Sequence, residues 1–222
     1  MDHDRGLEAE IGADRVLMLR QLPTEARPAM EALWRVDAAM GDVVARSTQP
    51  ALGAVKLAWW RDRLEQLDSG VVPAEPRLNA AAEHLLPRGV SGVELASMVE
   101  GWAVLLDEDL ASGPVADRGS RLFQLAARLL GVEDDVIGDA GALYALVSVG
   151  RRGLPRLVGE ADSVSQQIGR HRFPRALRPL TALARLAERD RRKGPPFEPE
   201  GTPPRFAAML RHRWNGIVAR GD

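Results

Sequence analysis

Apolar residues recur along this chain at three- and four-residue intervals, the spacing that lines them up on one face of an α-helix. Leu7, Ile11 and Leu19 share a side and predict a helix over 7–21, stopped by Pro23. Met30, Leu33, Met40 and Val44 form a stripe over 28–46, and Pro50 starts a third helix over 51–68 that ends at Asp68-Ser69-Gly70. The run Ser91-Gly92-Val93-Glu94 has the form of a capping box, in which each end of the first turn satisfies the other's backbone donors. It opens a helix expected to reach Ala111. Further helices are expected over 77–86, 118–130, 135–150, 174–192 and 204–219. Val, Ile and Thr rarely alternate with polar residues, so strands are not expected. Glycine and proline mark the joints. The longest joint, 193–204, reads as a linker before the last helix, because too little chain follows it for a second domain. The pattern predicts an all-α bundle forming a single domain over 1–222.

Two adjacent tryptophans test this reading. Trp59 falls in line with Leu52 and Val55, whereas Trp60 falls with Leu57, Leu64 and Leu67. Neighbours on a helix lie about 100° apart, so the two indoles head in different directions. Both are expected in the core, on a helix buried on two sides, rather than forming a stacking platform for a ligand.

Composition changes this picture little. The chain has 222 residues, 45% apolar and 27% charged, which is ordinary for a globular protein. The absence of cysteine excludes disulfides, thiolate metal sites and a cysteine nucleophile. No apolar run approaches the roughly 20 residues that span a bilayer. The first ten residues are acidic and lack an apolar stretch, which argues against a secretory signal and makes a cytoplasmic location the expectation. Charge is informative in its distribution. Residues 1–150 carry 14 basic against 24 acidic side chains, and residues 151–222 carry 16 against 7, so a net −1 conceals halves of −10 and +9. Either the halves attract each other within one fold, or the basic part meets an anionic partner. A pI near 6.5 and a single tyrosine argue against nucleic acid.

The order of several segments resembles the squalene/phytoene synthase family. They are "LPTEARPAMEAL", "ALWRVDAAMGDVV", "QPALGAVKLAWWRDRLEQLDSG", "EGWAVLLDEDL", "SRLFQLAARLLG" and "AGALYALVSVGRRG", reaching to about residue 156. The "KLAWWRD" segment is most similar to a branch that includes the mitochondrial complex I assembly factor. The resemblance implies an isoprenoid-synthase-like helical fold with a central cavity, in which active relatives join two prenyl diphosphates head to head. It also implies magnesium, held by two aspartate-rich helical motifs, because a departing diphosphate needs its charge stabilised.

At both motifs this sequence departs from the family. The first, D-D-x-x-D, falls on Gly41-Asp42-Val43-Val44-Ala45, where Asp42 is the remnant and Asp37, one turn earlier, is a weak substitute. The second, D-x-x-E-D, falls on Arg152-Gly153-Leu154-Pro155-Arg156, after Arg151. Guanidinium groups are cationic and accept no hydrogen bond, so they cannot ligate a metal. Pro155 also argues against a regular helix through this segment. No metal and no catalytic residue are therefore expected, magnesium entering only if a divergent prenyltransferase uses other ligands. Arg151, Arg152 and Arg156 are the candidates for binding a diphosphate or anionic headgroup directly.

Elsewhere the candidates are few. Asp107-Glu108-Asp109 is expected at a helix C-terminal end, and Asp134 and Asp135 are expected as N-caps. His3, His84, His171 and His212 lack metal-ligand spacing, and His171, flanked by arginines, is a general-base candidate without a motif. The resulting expectation is a non-catalytic relative acting in binding or assembly. Its partner would be a prenyl or phosphorylated lipid, a respiratory-complex protein or an anionic membrane surface, the last placing it peripherally at an inner membrane. The alternative is head-to-head prenyl transfer. Nothing in the residues fixes an oligomeric state.

Overall fold

The computed structural model describes residues 2–219. Among them the regular structure is helical, with one isolated antiparallel bridge between Arg172 and Ile217. The expected first helix is two, α1 (Asp2–Ile11) and α2 (Ala13–Arg20), broken at Gly12, whose φ of 91° lies in the region that favours glycine. Next come α3 (Arg27–Ala45), α4 (Pro50–Leu67) and α5 (Pro76–His84). Ser91 caps α6 (Gly92–Ala96) through the complete capping box with Glu94.

That helix does not run to Ala111. It is followed by α7 (Glu100–Ala103) and a 3₁₀ turn at Val104–Leu106. Asp107, Glu108 and Asp109 accordingly lie in a bend after that turn, outside any α-helix. The chain continues through α8 (Ser112–Leu129), α9 (Ile137–Gly150), α10 (Arg156–Ile168), α11 (Arg178–Lys193) and α12 (Pro203–Asn215). The sequence pattern missed α10; Pro155 directly precedes it, so the break read from that proline is real.

Helix α9 is apolar all round and lies at the centre, packed against α8, α10 and α11. Its crossing with α8 is a glycine contact. A Cβ on Gly119 or on Gly141 would collide with the other's backbone carbonyl. Helix α3 forms the opposite wall, against α1, α5 and α8, and α12 closes onto α11 and α2. The segment 194–202 folds back over the bundle, with the Gly201 amide donating to Asp14 at 3.0 Å.

The tryptophan pair separates. Trp60 is 6% exposed and in the core, whereas Trp59 is 39% exposed. Leu52 and Val55 share its outward face, so α4 buries one side only. The two rings meet edge to face at 5.4 Å, and Arg63 lies 5.9 Å from the Trp59 ring centroid.

Candidate functional site

The wall that would carry the first aspartate motif is the C-terminal half of α3. Gly41 is buried there because Trp102, from α7, occupies the space its side chain would take. A Cβ at Gly41 would lie 2.8 Å from the indole. One turn earlier, Asp37 is 3% exposed and accepts hydrogen bonds from Trp102 Nε1 at 3.0 Å and Arg118 Nη1 at 2.7 Å. The Arg118 guanidinium lies over the Trp102 ring, 3.9 Å from its centroid. Asp37 is thus neutralised by a buried cation, with its carboxylate turned to protein donors. Asp42 lies partly exposed and pairs with Arg46 at 3.2 Å, one turn along the same helix.

Side chains also fill the middle of the bundle. Trp34, Phe123 and Tyr144 form an aromatic cluster with centroid separations of 5.5–6.3 Å. Arg15 is wedged against two of them, 5.5 Å from the Trp34 centroid and 5.6 Å from that of Tyr144, and donates to the Tyr144 hydroxyl at 2.6 Å. Burial alone would pull the Arg15 pKa down, but Tyr144, Glu200 and Asp37 outweigh it and hold the guanidinium charged. Burial pushes the Tyr144 hydroxyl up. The space left beside this cluster is a cavity of about 20 Å³, bordered by Arg15, Tyr144, Ser148 and Glu200. That is room for about one water, against roughly 300–1,000 Å³ for an ordinary ligand pocket. Around this cluster the central space implied by the resemblance is filled by side chains, and larger depressions of about 680 and 660 Å³ lie elsewhere, along Asp162 and Arg191 and along Arg121 and Gln124.

An ion network seals the same region toward α12. Arg205 binds Asp14 at 2.7 Å and both oxygens of Asp190 at 2.8 Å, with all three side chains buried. Asp14 and Asp190 raise the Arg205 pKa against the opposing effect of burial. Arg151 joins the network through Asp190 and donates to the Glu198 carbonyl at 2.7 Å. Glu200 reaches over Gly12, where a Cβ would lie 2.5 Å from its carboxylate.

The three candidate arginines therefore have different surroundings. Arg151 turns inward to Asp190, Arg152 is exposed, and Arg156 is exposed with a bond to the Leu110 carbonyl at 3.1 Å. The residues present do not fit a magnesium cluster. Gly41 and Ala45 offer no ligand, and Asp37 and Asp42 are paired with arginines. No step of chemistry can be routed through such a cluster here. Among the described residues, no three His, Asp or Glu side chains converge as a metal site.

Asp134, His171 and His212 have structural partners. Asp134 accepts from the Val136 amide at 3.0 Å and pairs with His171 at 2.9 Å, so it orders the turn before α9 rather than capping its first residue. His212 is buried against Thr181, and the His3 side chain lies outside those described. The sequence reading overlooked Arg15, Arg118, Arg205 and Tyr144. A signal was present for two of them. Arg15 continues the i, i+4 series Leu7, Ile11 and Leu19, and Arg118 lies between Val115 and Leu122. A charge at a stripe position is a buried charge, and it needs a partner.

No curated protein and no solved structure matches this chain. The family match stops short of the second motif, so the alignment of Arg152 and Arg156 to that motif rests on sequence spacing. The all-α architecture is consistent with an isoprenoid-synthase-like fold, and residues 9–112 match the squalene/phytoene synthase family model, which covers α2 to α7 and the first motif position.

Proposed function

We propose that this chain is a squalene/phytoene synthase-like protein that no longer transfers prenyl groups and acts by binding or assembly, as in the family branch that includes a respiratory complex assembly factor. The observation that carries this reading is Gly41. At the position of a metal-binding aspartate the chain has no side chain, and the indole of Trp102 stands in the space. The paired Asp37 and the cavity of about 20 Å³ support it further. With the interior filled, binding falls to the outer surface. There α4 presents Leu52, Val55 and Trp59 to solvent, an apolar stripe of the kind that marks contact with a partner. Arg152 and Arg156 are the exposed members of the three candidate arginines, while Arg151 is turned inward to Asp190.

The test is incubation of the purified protein with farnesyl or geranylgeranyl diphosphate and magnesium, followed by pyrophosphate release and hydrocarbon analysis. The proposal expects neither product above a no-enzyme control. Sustained pyrophosphate release with a head-to-head hydrocarbon would establish divergent prenyl transfer instead.

A further inference from the structure

Charge in the C-terminal part is only partly cancelled within the fold. Arg205 reaches Asp14 in the acidic half. Arg151, Arg189, Arg191 and Arg192 pair with acids of their own half. A second set lies elsewhere. Residues 163–187 and 203–219 contain no Asp or Glu, and the structure brings these two runs together. Arg172 donates to the Asn215 carbonyl at 3.0 Å, and the Phe173 amide donates to the Gly216 carbonyl at 2.9 Å. The clustering is felt at buried Arg178, whose pKa is pulled down by burial and by the charges of Arg172 and Arg175.

Helix α12 is apolar on two sides. Met209 and His212 face the bundle, while Phe206, Leu210 and Trp214 form an i, i+4, i+8 stripe facing solvent, with Trp214 83% exposed. At 100° per residue the outward stripe lies roughly 140° from the buried one, with Arg213 on one flank and Arg211 on the other. The helix end that carries Trp214 is also fixed in place. Arg178 donates to the carbonyls of both Arg213 and Trp214 at 3.0 Å. A rigid aliphatic and aromatic stripe between arginines, with no acid on its element, is what inserts at the boundary of an anionic bilayer.

We propose that the outward face of α12, with Phe206, Leu210 and Trp214 inserted and Arg211, Arg213 and Arg172 against headgroups, docks this protein onto an anionic lipid bilayer. Acidic headgroups supply the complement to Arg211, Arg213 and Arg172, which form no ion pair among the described residues, and acyl chains cover the stripe. Docking of this kind does not depend on whether the interior turns over a substrate. The membrane contact lies on α12 and not on Arg151, Arg152 and Arg156.

Flotation with vesicles of phosphatidylcholine, alone or mixed with phosphatidylglycerol, tests it. The natural protein should float with mixed vesicles, less so as salt rises, and stay behind with phosphatidylcholine alone. Trp214→Ser should abolish most of the binding, and the pair Arg211→Gln with Arg213→Gln should weaken it by about fivefold per arginine. These are exposed positions, so the thermal midpoint of each variant should match the natural protein. Leu52→Ser with Trp59→Ser on α4, and Arg152→Gln with Arg156→Gln, should float as before. The proposal is overturned by absence of binding to mixed vesicles, by equal binding to phosphatidylcholine, or by α12 variants that bind undiminished. Loss confined to the α4 or the Arg152 and Arg156 variants would overturn it too, as would binding of a single-stranded RNA in place of vesicles.

Discussion

Gly41 and Asp37 sit one turn apart and have opposite consequences. Gly41 is small because Trp102 occupies its space, and Asp37 is accommodated because Arg118 and Trp102 donate to it. Restoring the family residue should therefore harm the fold without restoring chemistry. Gly41→Asp must move an indole and bury a second carboxylate beside Asp37. It should lower stability in urea by at least the 1–3 kcal/mol or so of an overpacked core, with no gain in magnesium binding by calorimetry. An unchanged midpoint would mean that Trp102 is free to swing away. Both residues could be found in the sequence only in part. Asp37 interrupts the stripe Met30, Leu33, Met40, and a charge in such a line must be buried with a partner. The partner is 81 residues away, and no local pattern points to it. The tryptophans show the converse limit. Periodicity separated their directions correctly, but whether a neighbour covers the second face of α4 is a tertiary fact.

Among the helices, those with long stripes and clear stops were legible: α3, α4 and α9 begin and end within a few residues of their expected bounds. The capping box at Ser91 was legible because it is a local hydrogen-bond exchange. The early end of that helix and the existence of α10 were not, since packing decides how far a short amphipathic segment continues. The α8–α9 crossing shows how strongly packing overrides propensity. Alanine normally stabilises a helix interior by about 1 kcal/mol over glycine. At Gly141 the added methyl meets the Gly119 carbonyl, with backbone on the far side of the contact, and the helices must part. Gly141→Ala should therefore destabilise, by roughly 1–3 kcal/mol or more in a denaturant titration. A stabilised variant would contradict the close crossing.

Helix α12 carries a pH dependence. Burial first, and then the charges of Arg185 and Arg178, lower the His212 pKa from 6.5 to about 4, while its neutral ring bonds Thr181 and the Ile217 carbonyl. The unfolded chain takes up a proton near 6.5 that the folded chain refuses until about 4, so unfolding is favoured as pH falls through that window. The contribution is fully present above 6.5 and is lost on acidification toward about 4. His212→Gln should flatten the stability profile in this range, measured by urea titration at successive pH values. A variant profile parallel to that of the natural protein would show that His212 does not titrate in this way.

At the scale of the molecule, two charged halves share one bundle, and its interior is closed by its own residues. The all-α class was legible because it depends on composition and local spacing. The closure was not, because it is the joint product of Trp34, Trp102, Phe123, Tyr144 and Arg15, drawn from five separate helices. A closed interior is what the proposed reading without prenyl transfer requires. A ligand that binds only the folded state raises its stability by mass action, by about 2.7 kcal/mol at a hundredfold excess over Kd. Thermal unfolding in magnesium together with farnesyl diphosphate, against magnesium alone, tests the closure most directly. The midpoint should be the same in both. A clear rise that requires magnesium and diphosphate together would mean that the bundle opens to hold a metal-bound substrate, which contradicts a closed interior without a metal site.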